Sequence, residues 1–160
     1  MAIVYLGIGS NLGDRSENVE KALALLREHE EIRILAVSQL IETEPQGGPA
    51  QGKFLNGAIK IDTDLMPLDL LSQIKMIERR LGRVKSDEVN APRTMDLDIL
   101  FYDDVVIVEG KSLTIPHPRL AERAFVLKPL LEIAPDLAHP RLNKTVKELY
   151  EALEFHESRP

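Results

Sequence analysis

The hydrophobic residues of this chain change their spacing in a fixed order along the sequence, and that order limits the folds it can adopt. Four segments have the continuous or alternating apolar pattern of β-strands, namely residues 2–9, 32–41, 54–63 and 94–102. Two segments have helical spacing, residues 16–29 and 67–81, with Pro67 and Gly82 where a helix tolerates proline and ends on glycine. The order β-α-β-β-α-β is typical of the split βαβ arrangement, in which an antiparallel sheet carries both helices on one face. We therefore predict an α+β fold with a ferredoxin-like βαββαβ core.

Further elements are predicted after this core. A small hairpin can form around Glu109-Gly110, and two helical patterns follow, the first of them interrupted at Pro129. The segments are residues 105–108 and 113–115 for the hairpin, and 120–133 and 145–153 for the helices. We expect these helices to pack on the outside. The 160 residues contain no linker and no low-complexity tract, so a single domain over residues 1–160 is predicted.

The composition excludes several classes of protein. The chain has 20 Lys and Arg against 26 Asp and Glu, which argues against a general binder of nucleic acid or anionic membranes. The absence of Cys excludes a disulfide framework, a thiolate zinc site and a Cys nucleophile. No signal-peptide pattern opens the sequence, and no segment approaches ~18 consecutive apolar residues. We predict a cytoplasmic protein without a nucleic-acid or membrane partner; the oligomeric state is open, with a monomer as the expectation.

One stretch of the sequence departs from the acidic balance. Between Lys75 and Arg93 there are six basic and three acidic residues. A basic cluster within an acidic protein is typical of a site for a small anionic ligand, and equally of a solvated helix face.

The strongest chemical signal is the pair Asp96 and Asp98. Side chains two apart on a strand share one face, so these carboxylates project together while Met95, Leu97 and Ile99 point into the core. Two close carboxylates repel unless a cation neutralises them, and Mg²⁺ typically takes one or two carboxylates together with water and phosphate oxygens. The alternative is a solvated edge strand. The basic cluster immediately upstream, ending at Arg93, favours a site for phosphoryl transfer.

Two further segments have residues that suit ligand binding. The opening Gly7 to Gly13 run lacks a glycine at Leu12 and so does not match a dinucleotide fingerprint; small residues at this strand end instead allow a flat ligand to approach. His117 stands between two prolines in a turn, with Arg123 nearby, and both side chains can donate to a phosphate. A structural histidine is the alternative reading of His117.

Two of the seven aromatic residues lie next to candidate site residues. Phe54 begins a predicted strand with Asn56 on the same face, and Phe125 follows the His117 turn. Two such rings can clamp a planar heterocycle while an Asn amide binds its edge. From the residues alone, burial of both rings in the core is the favoured interpretation.

Several of these motifs together resemble one family, the 6-hydroxymethyl-7,8-dihydropterin pyrophosphokinases of folate biosynthesis. The resemblance covers nearly the whole chain. It rests on four runs: Gly9-Ser10-Asn11-Leu12, Phe54-Leu55-Asn56, Pro92-Arg93-Thr94-Met95-Asp96-Leu97-Asp98-Ile99, and Pro116-His117-Pro118-Arg119 followed by Arg123-Ala124-Phe125. It implies a ferredoxin-like core and transfer of pyrophosphate from ATP to the hydroxymethyl group of the pterin, giving AMP and the pterin diphosphate.

The resemblance also implies a role for individual residues. Asp96 and Asp98 would bind two Mg²⁺ ions, and the catalytic set would be Arg83, Arg93, Asp96 and Asp98. ATP would be bound by Lys75, Glu78, Lys85, Arg93, Ile99, Thr114, His117 and Arg123. The pterin would be held by Gly9, Thr43, Phe54, Asn56 and Phe125. Lys85 stands where many relatives have Arg, and Asn90, Ala91, Ser112 and Glu44 also depart from the family pattern.

The sequence is also compatible with two other functions. The first is a non-catalytic ferredoxin-like module that binds a small metabolite. The second is an RNA-binding domain on the same fold, which would require exposed aromatic side chains where this chain has Asn56, Asp96 and Asp98.

Overall fold

A computed structural model of the chain describes residues 1–44, 53–82, 95–110 and 113–157. Most of the predicted loop over 44–52 and all of the one over 83–92 lie outside the described residues. Among the described residues, no helix is long and apolar enough to cross a bilayer.

The described part of the chain is an α+β structure of seven strands and four α-helices. The strands are β1 (Ala2–Ser10), β2 (Ile32–Val37), β3 (Ile41–Thr43), β4 (Phe54–Thr63), β5 (Asp96–Tyr102), β6 (Ile107–Glu109) and β7 (Leu113–Ile115). The helices are α1 (Arg15–Glu28), α2 (Pro67–Arg80), α3 (Ala124–Ile133) and α4 (Val146–Glu157), with a 3₁₀ turn at Leu120–Glu122 before α3. The predicted strands, helices and hairpin are therefore present with shifted ends, except that the strand predicted over residues 32–41 is divided between β2 and β3.

The main sheet is antiparallel and has the strand order β2-β4-β1-β5, with β3 paired to β4 beyond β2. β1 and β4, the two longest strands, occupy its centre, and all of β1 pairs with residues 55–63 of β4. β6 and β7 form the separate predicted hairpin. The N-terminus of α1 is capped by Asp14, whose side chain accepts a hydrogen bond from the Glu17 N–H at 3.0 Å. The second begins with Pro67 and ends before Gly82, whose φ of +89° suits glycine.

Helices cover both faces of this sheet. On one face α1 and α2 bury apolar side chains against alternate residues of β1, β4 and β5, including Leu6, Ile61 and Leu97. On the other face, α3 and α4 form a second core with Phe101 and Leu100. The C-terminal helices, expected on the outside of the core, therefore complete a three-layer structure.

The prediction of one strand over residues 32–41 is wrong, because the chain leaves the ladder at Ser38. The Ser38 N–H donates to the Ala58 carbonyl at 2.9 Å, and the Ser38 hydroxyl accepts the Ala58 N–H at 2.8 Å. A side chain therefore replaces the main-chain carbonyl as acceptor here. Beyond it Leu40 packs over Gly57, where an added Cβ would lie 2.7 Å from the Leu40 Cδ2 atom. Pairing then resumes as β3.

The predicted interruption of a helix at Pro129 is also wrong. Pro129 lies inside α3, and the break comes earlier, at Arg123, whose backbone is extended (φ −119°, ψ 102°). A proline within a helix removes one N–H from the ladder, a loss that packing in the second core can offset. The Arg123 carbonyl accepts the N–H groups of Val126 and Leu127 at 3.0 Å each. As a result Arg123 and Phe125 both lie at the first turn of α3.

Candidate functional site

The two aspartates lie on β5 opposite glycines of β1. Asp96 pairs with Gly9 and Asp98 with Gly7 in the ladder. Leu97 and Ile99 are buried in the core beneath α1 and α2, as the alternation predicts. Since the two glycines have no side chains, the sheet surface beside the carboxylates leaves room for the neighbouring side chains of Asn56 and Leu100.

A cleft opens over this surface. Nine of the predicted site residues line it: Gly9, Thr43, Phe54, Asn56, Asp96, Asp98, His117, Arg123 and Phe125. They come from β1, β3, β4, β5, the turn after β7 and the start of α3. The cleft therefore lies between the sheet and the first turn of α3.

The carboxylates are the electrostatic centre of the cleft. Burial raises the pKa of Asp98 from its usual 3.8 to about 7, and the negative charges of Asp96 and Glu78 add to the effect. The positive charges of Lys75 and Arg123 oppose it. A cation placed between Asp98 and Asp96 can take the place of this proton and neutralise the negative charge of both carboxylates.

The donor set around the aspartates suits a hard divalent cation. Within the described ranges, no group of three or more His, Asp and Glu side chains comes together. A protein-only cage for a transition metal is therefore not formed by these residues. Two carboxylates facing an open cleft match Mg²⁺, which completes its octahedron with water and phosphate oxygens.

His117 is held by one hydrogen bond to β5 and one within its own turn. Its backbone N–H donates to the Leu100 carbonyl at 3.0 Å, and its Nδ1 atom accepts the Arg119 N–H at 3.3 Å. Burial lowers the pKa of His117, and the positive charges of Arg123 and Arg119 lower it further against the opposing charge of Asp96. The neutral ring therefore carries its proton on Nε2, where it can donate to a ligand oxygen.

The favoured interpretation of the two phenylalanines as core residues is wrong. Phe54 and Phe125 are half-buried and line the cleft. The Arg123 guanidinium carbon lies 5.5 Å from the centroid of the Phe125 ring, a cation–π distance. Both rings thus have surface available to a ligand.

The Asn56 amide is held by its neighbours at the floor of the cleft. Its Nδ2 atom donates to the Thr43 hydroxyl, and its side chain is buried. A Cβ atom on Gly9 would come within 2.6 Å of the Asn56 Oδ1 atom. Only glycine at position 9 leaves this amide its present place.

Four predicted ATP-binding residues lie outside the lining of the cleft. Lys75 and Glu78 form an ion pair on α2, with 3.2 Å between Nζ and Oε1. Ile99 has its side chain in the core, and Thr114 is half-buried on β7. Three more predicted residues, Arg83, Lys85 and Arg93, lie outside the described residues, as do the departures at Asn90, Ala91 and Ser112.

Several lining residues were not predicted as site residues. They are Gly7, Ile8, Glu44, Gly57, Leu100 and Val126. Leu100 continues the two-residue alternation of Asp96 and Asp98, so the pattern of β5 already contained that signal. Glu44 follows Thr43 directly and pairs with Lys53, with 3.4 Å between Oε1 and Nζ.

Comparison with known proteins gives a consistent result. The family model described as 7,8-dihydro-6-hydroxymethylpterin-pyrophosphokinase (HPPK) matches residues 5–135. A 2-amino-4-hydroxy-6-hydroxymethyldihydropteridine pyrophosphokinase of Aquifex aeolicus is 45% identical over 148 residues, which are 92% of this chain and 90% of that protein. The protein of the same name from Bacillus subtilis is 46% identical over 132 residues, covering 82% of this chain and 77% of that one.

Other relatives are much longer than this chain. The folic acid synthesis protein fol1 of Schizosaccharomyces pombe is 46% identical over 151 residues, 94% of this chain but 20% of that protein. The chain thus spans about a fifth of the length of this fungal relative.

Solved structures share the fold. A crystal structure of an HPPK-DHPS in complex with substrates has a TM-score of 0.75 at 16% identity, covering 98% of this chain and 44% of that one. A Plasmodium falciparum HPPK-DHPS has a TM-score of 0.74 at 20% identity and covers 95% of this chain and 43% of that one.

Proposed function

The chain belongs to the 7,8-dihydro-6-hydroxymethylpterin-pyrophosphokinase family, and on this premise we propose that it transfers pyrophosphate from ATP to 6-hydroxymethyl-7,8-dihydropterin in folate biosynthesis. The hydroxymethyl oxygen attacks the β-phosphorus of ATP. The bond from that phosphorus to the oxygen bridging the α- and β-phosphates breaks, AMP leaves, and the hydroxyl proton is released. The products are AMP and the pterin diphosphate.

One observation carries this proposal. The carboxylates of Asp96 and Asp98 line the same cleft as Phe54, Phe125 and Asn56. A polyphosphate needs cations, which the aspartates can hold, and a flat heterocycle needs apolar faces and an amide at its edge. A single cleft with both kinds of wall can bring the two substrates into contact, which supplies much of the rate enhancement of a group transfer.

We assign Asp96 and Asp98 as the ligands of two Mg²⁺ ions. When bound, these ions neutralise the phosphate charges and stabilise the charge that develops on the leaving AMP oxygen. The Nε2–H group of His117 and the Arg123 guanidinium donate to phosphate oxygens from the side of α3. Arg83 and Arg93 complete this catalytic set, and the remaining ATP contacts are those predicted for Lys75, Glu78, Lys85, Ile99 and Thr114.

The pterin occupies the other end of the cleft in this proposal. Phe54 and Phe125 stack on the ring, while Asn56 and Thr43 bind its edge and Gly9 leaves space for it. These contacts orient the hydroxymethyl group toward the phosphates. Since water is the competing nucleophile, covering the cleft when both substrates are bound favours transfer over hydrolysis.

The finer features of the fold and setting are part of the same proposal. We propose that β1-α1-β2-β4-α2-β5 is a ferredoxin-like core, which the strand order β2-β4-β1-β5 supports. We further propose that residues 1–160 form one domain, that the chain is active as a monomer, and that it works in the cytoplasm.

The test is an assay for AMP with each component omitted in turn. The purified protein should form AMP only when ATP, Mg²⁺ and the hydroxymethyl-dihydropterin are all present. Asp96→Asn and Asp98→Asn should each lower kcat at least about 100-fold with an unchanged circular dichroism spectrum. Asp104→Asn, a change at an exposed carboxylate past the end of β5, is the matched control. Binding of the pterin without any AMP formation would instead identify a non-catalytic metabolite-binding module.

A further inference from the structure

Glu78 is a buried carboxylate that faces the strand of the two aspartates. It lies on α2 with only 1% of its surface exposed. Its Oε2 atom accepts the Leu97 N–H at 2.8 Å, and its Oε1 atom lies 3.2 Å from the Lys75 ammonium. Lys75 is about half exposed, at 47%, so the pair links the surface of α2 to the backbone of β5.

The hydrogen bond from Leu97 to Glu78 lies on the side of β5 that has no neighbouring strand in the described sheet. In the described sheet β5 is an edge strand that pairs only with β1. The Leu97 N–H points away from that partner and would lack an acceptor in the sheet. A buried N–H without an acceptor destabilises the folded state, so the Glu78 carboxylate provides what a further strand would otherwise supply. A bond to a charged acceptor is also stronger than a neutral one.

Leu97 is the residue between Asp96 and Asp98. Fixing its N–H fixes the peptide plane between Asp96 and Leu97, and the pairing of β5 with β1 extends this constraint to Asp98. Groups that bind a cation and a reacting phosphate must be held to within about 0.5 Å, and supporting hydrogen bonds provide that precision. α2, a regular helix on the opposite side of the strand, is a rigid support for this purpose.

We propose that Glu78 is a positioning residue, which holds the Leu97 backbone so that Asp96 and Asp98 present their carboxylates to the same pair of cations. The proposal rests on the proposed function. It assigns to Glu78 a bond to the protein backbone, in place of or in addition to the contact with adenosine that the family resemblance implies. We therefore expect loss of the hydrogen bond to Leu97 to lower the affinity for the cations more than loss of the negative charge at position 78.

Two conservative variants separate the bond from the charge. Glu78→Gln keeps an acceptor for the Leu97 N–H and loses the charge. Glu78→Asp keeps the charge but is one methylene too short to reach Leu97. Mn²⁺ affinity, measured by electron paramagnetic resonance with a non-hydrolysable ATP analogue, should fall about tenfold or more in Glu78→Asp and by a smaller factor in Glu78→Gln. The KM for Mg·ATP should follow the same order, with the pterin KM within twofold of wild type.

Asp103→Ala is the matched control for loss of stability alone. Asp103 also presents a carboxylate to a backbone N–H, that of Ile3 at 2.8 Å, at the far end of the β1–β5 pair. Its removal should lower the unfolding midpoint without changing Mn²⁺ affinity.

The opposite order, with Glu78→Asp binding Mn²⁺ like wild type and Glu78→Gln weakened, would overturn the proposal in favour of a purely electrostatic role. Equal Mn²⁺ affinity in all the variants, or no Mn²⁺ binding by wild type, would also overturn it. If wild type binds Mn²⁺ with the analogue but forms no AMP, the proposed function fails while the positioning role is still decided by the binding data.

Discussion

Gly9 lies directly opposite Asn56 in the β1–β4 ladder, and the space above Gly9 is filled by the Asn56 amide. The same glycine is the ladder partner of Asp96 on its other side. One residue without a side chain therefore lies between Asn56 on one neighbouring strand and Asp96 on the other. This arrangement makes position 9 a sensitive point for the geometry of both.

Gly9→Ala should selectively weaken pterin binding. The new Cβ would lie 2.6 Å from the Asn56 Oδ1 atom, so the amide must move and its bond to the Thr43 hydroxyl is lost. Loss of a buried hydrogen bond of about 1–3 kcal/mol corresponds to a roughly 5- to 150-fold rise in the pterin KM. Steady-state kinetics with each substrate varied in turn would measure this. In the control Gly7→Ala, the Cβ meets only Leu100 carbons at 3.5 Å, and the rise should be under threefold; equal effects would contradict the prediction.

Phe54→Ala and Phe125→Ala should differ in their effect on ATP. Each removes an aromatic surface from the cleft, and we expect the pterin KM to rise about tenfold or more in both. Only Phe125 is stacked by the Arg123 guanidinium, at 5.5 Å, so only Phe125→Ala should also raise the KM for ATP. Phe155→Ala, at a 63% exposed position on α4, controls for loss of an aromatic ring. An unchanged pterin KM in both variants would exclude the ring-stacking role.

The local parts of this site could be predicted from sequence. The alternation around Asp96 and Asp98 depends only on the two-residue period of a strand, and the structure confirms which side chains face the core. The placement of Pro67 and Gly82 at the ends of α2 likewise depends on the backbone preferences of single residues.

The parts that depend on distant residues could not be predicted. The sequence contains no signal for the Ser38 break, because its cause is the Ala58 N–H, twenty residues away along the chain. The position of Phe125 in the cleft depends on where α3 begins, and that start is set at Arg123, not at Pro129 as the sequence pattern suggests. An aromatic residue in a strand is buried or available to a ligand according to what lies opposite it.

Ser38→Ala should destabilise the fold without changing its architecture. The Ser38 hydroxyl is buried and accepts the Ala58 N–H at 2.8 Å. Its removal leaves that N–H in a buried position without this acceptor, which costs about 1–3 kcal/mol. Urea unfolding followed by circular dichroism would show a lower midpoint at an unchanged slope. Ser72→Ala, an exposed change on α2, should leave the midpoint unchanged or slightly higher because alanine favours helix; equal midpoints in the two variants would contradict the role of Ser38.

The stability of the metal-free protein should depend on pH through Asp98. Its folded-state pKa of about 7 lies above the usual 3.8, so between these values the folded state holds a proton that the unfolded state has lost. The contribution of Asp98 to the free energy of unfolding is therefore complete below about pH 4. It declines as the pH rises to about 7, by at most about 1.4 kcal/mol per pH unit. Asp98→Asn removes the decline because asparagine has no proton to lose, so its advantage over wild type should grow from pH 4 to pH 7 and then stay constant. Urea unfolding in the presence of EDTA, at several pH values, measures this difference, with Asp104→Asn as the exposed control. A constant difference between Asp98→Asn and wild type over that range would show that the buried carboxyl does not retain its proton. Both aspartates would then be charged in the metal-free protein.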